Sequence, residues 1–587
     1  MKKQILETRW TKQINETNVW QEYPRPTMVR SSYMNLNGYW DYAIKKNSCF
    51  PSSYHGKILV PFSPESKLSG VERQLKPKEF LWYHRILPAV KCPKNARLYL
   101  HFGAVDQACT VYLNQQEVGY HQGGYLPFSI DITDAFQSFH STTNCELFVR
   151  VTDPSDTSYH SRGKQKLHNS GMFYTAQSGI WQTVWMEIVP DNFIRYVKFT
   201  PNYDKKEVTV KISTERNCSA LLQLETKEHT YSITSNQSFT IPLKNFHAWS
   251  PEDPYLYQVK ITTQTDCIKS YFAVRKCDIQ TDKNGIRRIF LNNKPYLQIG
   301  LLDQGYWPDG LYTPPCEEAM IFDILSIKKL GFNMIRKHLK IESERWYYTC
   351  DRLGILVWQD MVNGGSHYHH WFVTYLATFF NYSGKKISDQ PHALLSRQHK
   401  EGRKEWAKEV VSTIRTLYHH PCIVCWVPFN EGWGQFRALF AAEFIHNLDK
   451  GRLIDHASGW FDQGGGDIKS IHYYFFSLIL KPERRALALT EFGGYAWYVK
   501  GHSYSLKIFG YRAFQNKDSL TKGYAKLMEE LIFPAFQNGL SASVYTQLSD
   551  VEEEMNGIFT YDRKLLKLDK NTILKWNQKI KNLEIKR

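Results

Sequence analysis

The chain has 587 residues, with 42% hydrophobic and 22% charged, a globular balance that excludes a disordered or fibrous protein and implies more than one core. Its net charge of +17 comes from scattered Lys and Arg, so no nucleic acid partner is expected; a solvated basic surface or an acidic substrate remains. No apolar stretch reaches the roughly 20 residues of a membrane helix. No signal-peptide core follows Met1-Lys2-Lys3, and the eleven cysteines lack framework spacing, so a cytoplasmic protein with reduced thiols and no membrane contact is expected.

Residues 1–190 read as β. Short runs such as Arg97 to Phe102, Thr110 to Leu113 and Glu146 to Val151 are separated by turn signals at Asn35-Leu36-Asn37-Gly38 and Gly123-Gly124, and a jelly-roll sandwich fits. Residues 191–285 form a second β unit. Lys206 to Ile212 and Tyr255 to Ile261 alternate, as in an immunoglobulin-like sandwich. From 286 to 587 apolar strands alternate with helices. A strand at 295–302 leads to a helix over 317–330, a strand at 332–336, and a helix that Ser343 can cap and Gly354 can stop. Further strands are expected at 355–358, 423–429, 453–455, 468–473, 486–490 and 541–546, with a helix after the fourth strand carrying Phe436, Phe440, Phe444 and Leu448 as its stripe. Eight such units predict a (β/α)8 TIM barrel.

Two carboxylates stand out. Glu431, in Asn430-Glu431-Gly432-Trp433, follows strand four, and Glu491, in Thr490-Glu491-Phe492-Gly493, follows strand seven. Barrel enzymes present substrate-touching groups at the C-terminal strand ends. A carboxylate closing an apolar strand is costly to bury without a use. Two at matching places meet the needs of glycoside hydrolysis, in which one carboxylate attacks and one carboxylic acid donates. Trp433 is expected to desolvate Glu431 and raise its pKa, and Asn430 to bond the sugar 2-OH. Cys422 and Cys425 resemble a metal or redox pair, but residues three apart on a strand face opposite sides, so both read as core thiols. His367, His369 and His370 read as a loop at the cleft rim.

At these residues the sequence resembles glycoside hydrolase family 2, the group of β-galactosidases, β-glucuronidases and β-mannosidases. The likeness spans nearly the whole chain: Leu36-Asn37-Gly38-Tyr39-Trp40, Gly103-Ala104-Val105-Asp106, Gly123 to Phe128, Ser178-Gly179-Ile180-Trp181-Gln182, Asn333 to Arg336, Cys350 to Gly354, Asn430-Glu431 and Thr490-Glu491. The resemblance implies Glu431 as acid/base and Glu491 as nucleophile. It also implies Tyr473 as support for the nucleophile, with Tyr474 the alternative, and Arg336 and His338 as cleft residues. The family separates that Arg and His by two residues and this chain by one, which leaves the role of His338 open.

Where magnesium-dependent β-galactosidases carry Asp-Glu-Ala-Asn, this chain has Gln359-Asp360-Met361-Val362, so no metal or other cofactor is expected. Where β-glucuronidases carry Asn-x-Lys before Gly-Ile-Phe-Thr, it has Glu554-Met555-Asn556, which argues against a uronide. Asp303, Trp307 and Asp309 in the strand-one loop, with Asp550, Glu552 and Glu553 in the strand-eight loop, are candidate subsite residues suited to neutral sugar hydroxyls. The expectation is a retaining exo-β-glycosidase of β-galactosidase type acting on a carbohydrate. β-Glucuronidase and β-mannosidase are the enzymatic alternatives, and a non-catalytic carbohydrate-binding protein is the rival from another class. The resemblance also admits a homo-oligomer, since family members often associate through their β domains.

Overall fold

The computed structural model describes residues 4–139, 145–224, 230–382, 386–474, 478, 480–481 and 483–585. Its first unit is a β-sandwich. A six-stranded antiparallel sheet runs Gly56–Val60, Gly38–Lys45, Phe80–Ile86, Glu146–Thr152, Ala108–Leu113, Gln116–Gln122. It faces a four-stranded sheet of Tyr33–Asn35, Val184–Pro190, Ala96–Phe102 and Phe128–Asp131. Period-2 alternation places Leu98, Leu100 and Phe102 from one sheet against Leu81, Tyr83, Val149 and Val151 from the other in a single core. The second unit packs three strands (Tyr196–Asn202, Glu207–Ser213, Ser238–Pro242) on four (Thr230–Thr234, Ser219–Leu224, Tyr257–Thr263, Cys267–Phe272). Val208, Val210 and Ile212 point inward and the residues between them outward, the pattern that an immunoglobulin-like sandwich requires.

The third unit is an eight-stranded parallel barrel: β1 (Gln298–Asp303), β2 (Met334–Lys337), β3 (Leu356–Asp360), β4 (Ile423–Val427), β5 (Leu453–Ile454), β6 (Ile468–Tyr473), β7 (Ala486–Gly493) and β8 (Leu540–Thr546). Neighbours run β5-β4-β3-β2-β1-β8-β7-β6, so β8 returns to β1 and sequential strands pair throughout except between β5 and β6, the two ends of the nearly closed barrel. Nearly every strand residue is buried, as expected when side chains fill one face and helices cover the other.

The helices depart from the expected alternation in two ways. Among the described residues, helices follow β1 to β4, β7 and β8, but none follows β5 or β6. The β5–β6 connection instead carries Gly459, Gly464 and Gly466 at positive φ, which turns the chain before a helix can nucleate. In the helix Ala438–Leu448 the buried face is Ala438, Ala441, Ala442 and Ile445, whereas Phe440 is 64% exposed. The small alanines admit close packing, so Phe440 of the expected stripe turns outward, while Phe436, Phe444 and Leu448 pack half-buried at the edge of the core. Ser343 holds the N-cap position of Glu344–Leu353 without a side-chain cap bond, and Gly354 closes that helix in the left-handed region, as expected.

Three contacts fasten the β units to the barrel. From the second unit, Trp249 Nε1 donates to Asp351 O (2.8 Å) and Tyr271 Oη to Asp351 Oδ2 (2.8 Å). The N-terminal segment lies on the barrel, with Thr8 N and Oγ1 both donating to Asp309 Oδ2. The segment 160–175 of the first unit crosses the C-terminal mouth of the barrel. There Arg162 N and Gly163 N both donate to Asn363 O (3.0 Å each), Gly171 N donates to Glu553, and Thr175 N to Glu552.

Candidate active site

Glu431 lies four residues beyond β4 and Glu491 within β7, both buried at the C-terminal mouth (9% and 5% exposed). Glu431 has φ +50°, a left-handed backbone that costs a non-glycine residue of order 1 kcal/mol or more and turns the chain sharply, and its N–H is held by Ser458 O at 2.8 Å. β6 and β7 slip register between Ile471 and His472, which brings His472 opposite Glu491. One oxygen from each carboxylate and one His472 nitrogen lie within 4.8 Å of one another.

Each carboxylate is gripped on both oxygens. Glu491 Oε1 accepts from Arg336 Nη1 (3.1 Å) and Oε2 from Tyr474 Oη (2.7 Å). Glu431 Oε1 faces His472 Nδ1 (2.8 Å), and Oε2 accepts from Trp433 Nε1 (3.3 Å). Arg336, fully buried in β2, also donates to Asp360 through Nε (3.0 Å) and Nη2 (3.1 Å) and to Asn430 Oδ1 (2.8 Å). Burial works against its charge, but Asp360 and Glu491 outweigh that and hold its pKa above the ordinary value. Asp360 Oδ2 also bonds His338 Nδ1 (2.6 Å), so Arg336 and His338 share one carboxylate despite their shortened spacing. Burial, with Lys164 and Arg336 nearby, pushes His338 well below its usual pKa and keeps the imidazole neutral. Behind His472, Ser458 Oγ meets its Nε2 at 2.9 Å and Thr490 Oγ1 at 3.0 Å, fixing the ring.

Several expectations are revised. The tyrosine on Glu491 is Tyr474, not Tyr473. Ser470, His472 and Tyr474 share one strand face by period 2, which leaves Tyr473 on the other, packed at the core's edge. Trp433 does not raise the Glu431 pKa. Burial does push that carboxyl up, but the bond and charge of His472, the charge of Lys164 and the Trp433 bond outweigh it and leave Glu431 below its ordinary value.

The strand-one residues do not face the pair. Asp303 is buried against Lys337 Nζ (2.6 Å) and Gly305 N (2.9 Å). Trp307 packs edge-on to Trp10 under the Arg563 guanidinium, 4.2 Å from the ring centroid, and Asp309 anchors Thr8 and Thr11. The loop doubles back at Trp307–Leu311 onto the N-terminal segment, which no local pattern announces. In the strand-eight loop Asp550 pairs with Lys567 (2.7 Å), while Glu552 and Glu553 clamp residues 169–175.

Sequence reasoning missed His472, Asp360 and Lys164. Parity along β6 would have flagged the first; Lys164 comes from another unit and had no signal near the barrel. His370 packs edge-on to Trp433 (5.2 Å), at the rim as expected, and Cys422 and Cys425 are buried in the core. Glu431, His472 and Glu491 could hold a cation together if His472 Nδ1 gave up its contact with Glu431. Among the described residues no helix is long and apolar enough to cross a membrane.

Family models match three consecutive stretches: the sugar binding domain of glycosyl hydrolases family 2 over residues 78–190, the glycosyl hydrolases family 2 model over 192–275, and the TIM barrel domain of that family over 314–483. The chain is 25% identical over 461 residues to a β-galactosidase of Thermoanaerobacter pseudethanolicus, covering 72% of this chain and 55% of the relative. It is 22% identical over 449 residues to a putative β-glucuronidase of Formosa agariphila, covering 70% and 48%. The chain thus spans about half the length of the curated relatives it matches. A solved β-D-glucuronidase of Dictyoglomus thermophilum superposes with a TM-score of 0.71 at 16% identity over 96% of this chain and 99% of that one, a likeness of fold. With all three of its units matched in order, the chain belongs to glycosyl hydrolases family 2.

Proposed function

We propose that the chain is a retaining exo-acting β-glycosidase, with Glu491 as nucleophile and Glu431 as acid/base. The observation that carries this reading is the pair's proximity: with one oxygen of each within 4.8 Å of the other, the carboxyls stand closer to the roughly 5–5.5 Å of retaining enzymes than to the wide 6.5–9.5 Å gap of inverting ones. Glu491 is gripped and aimed by Arg336 and Tyr474, as suits an attacking carboxylate. It attacks the anomeric carbon while Glu431 protonates the leaving oxygen; Glu431 then takes a proton from the water that releases the sugar. His472 Nδ1 beside Glu431 steadies the ionised form in the second step. In this reading Asn430, fixed by Arg336, bonds the sugar hydroxyl beside the anomeric carbon.

The β-galactosidase relative of Thermoanaerobacter pseudethanolicus favours a β-galactoside substrate, and the putative β-glucuronidase of Formosa agariphila an acidic one. The unpaired cation Lys164 favours a second reading, an acidic sugar. A non-catalytic glycan-binding role does not call for two carboxylates held this closely with every oxygen oriented. Aryl β-galactoside, β-glucuronide and β-mannoside assays on wild type and Glu491→Ala test the function. At least a 10³-fold loss is expected in the variant, with azide rescue giving an α-glycosyl azide. Intact activity in Glu491→Ala would sink the nucleophile assignment.

A further inference from the structure

Several buried cations around the barrel mouth are matched by carboxylates. Arg336 pairs with Asp360 and Glu491, Lys337 with Asp303 and Glu342, Lys340 with Glu342, Arg563 with Asp323, and Lys567 with Asp550. Lys164 has no such partner; among the described residues it shares this with Arg162 and Arg397, whose guanidiniums bond backbone carbonyls instead. Lys164 is half-buried in the segment of the first unit that crosses the mouth, and its ammonium makes no ion pair with any described carboxylate. Its Nζ stands 5.7 Å from the Tyr174 ring, and its charge reaches Glu431 and His338 on the barrel. The delivery is rigid. Tyr174 N donates to Lys164 O (2.9 Å), while Gln165 turns back to Asp106 (2.9 Å) in its own unit. Gly163 passes so near the barrel that a Cβ there would sit 2.6 Å from Leu339 O.

We propose that Lys164 is a substrate-binding residue which the first unit supplies to the cleft, and that it receives a carboxylate carried by the sugar. This rests on the retaining-glycosidase reading and names the substrate class of that site. A half-buried ammonium whose charge acts on Glu431 is matched when a bound anion reaches it, and a neutral hydroxyl does so only in part. The acid/base supplies a second reason. His472 and Lys164 together hold Glu431 toward its charged form, the wrong one for donating a proton to the leaving group. A substrate carboxylate on Lys164 offsets that field and returns Glu431 toward the protonated form as it binds. A neutral sugar leaves the field in place.

The test compares 4-nitrophenyl β-galactoside, β-glucuronide and β-galacturonide with wild type, Lys164→Met and Lys164→Arg. Wild type should turn over at least one uronide at tenfold or higher kcat/KM than the galactoside. Lys164→Met should lose about 100-fold on that uronide and less than fivefold on the galactoside, Lys164→Arg should regain part of the loss, and the thermal midpoint should stay within a degree or two. Preference for the galactoside in wild type, or equal losses on acidic and neutral substrates, overturns the assignment of Lys164 and leaves the retaining mechanism standing. Turnover of none of the three overturns both.

Discussion

Replacing Tyr474 by Phe removes one hydroxyl and little volume. That hydroxyl donates to Glu491 Oε2 at 2.7 Å and meets Thr546 Oγ1 at 2.9 Å. Burial and the Glu491 charge hold the phenol far above its usual pKa, so it stays a donor throughout the working range. A hydrogen bond to a charged group is worth about 1.5–3 kcal/mol. At about 1.4 kcal/mol per factor of ten, Tyr474→Phe should lower kcat/KM by roughly 10- to 150-fold if the bond serves the attacking carboxylate in the transition state. Arg336 still holds Oε1, so the carboxylate keeps its place and the thermal midpoint should barely move. Tyr473→Phe, on the opposite strand face, should stay within about threefold of wild type, as substitutions away from such features do. Steady-state kinetics on whichever aryl glycoside proves best, with thermal melts of both variants, decide it. If Tyr473→Phe carries the loss and Tyr474→Phe is near wild type, the strand parity on which this site is built is wrong.

His472→Gln removes the strongest influence holding Glu431 below its ordinary pKa, so the alkaline limb of the kcat/KM profile should move to higher pH; an unmoved limb would refute that pairing. Glu65, buried where the first unit folds on itself, has its pKa pushed up to about 8 by burial. The folded state then binds more protons than the unfolded one between about pH 4.5 and 8, so stability falls as pH rises through that window. Glu65→Gln should flatten part of this decline in melts from pH 5 to 8, and a parallel decline in both proteins would contradict the reasoning. Gly354 has φ +71°, and a Cβ there would sit 2.4 Å from Pro251 O at the contact of second unit and barrel. Gly354→Ala should therefore cost at least about 1–3 kcal/mol, read by denaturant unfolding.

Legibility followed the range of the signal. Period-2 alternation is written in neighbouring residues, and so Val208, Val210 and Ile212, or the apolar runs of the barrel strands, could be read directly. Glu431 and Glu491 were legible for the same reason, as carboxylates closing apolar runs. The loops were not. Asp303, Trp307 and Asp309 look like cleft residues from their place after β1, yet each is claimed by a partner far along the chain: Lys337, Trp10 and Thr8. The helix Ala438–Leu448 turned its alanines inward because close packing with its neighbours outweighed the apolar area of Phe440.

The sequence by itself determined the candidate carboxylate pair and the architecture that carries it, because strand ends and hydrophobic periods are local properties. Which oxygen of each glutamate meets which donor, that Tyr474 rather than Tyr473 holds Glu491, and that Lys164 reaches the mouth of a barrel that begins more than 100 residues later were decided by tertiary structure alone. Those facts depend on strand register and on one unit docking against another, and no window of sequence contains both sides of such a contact.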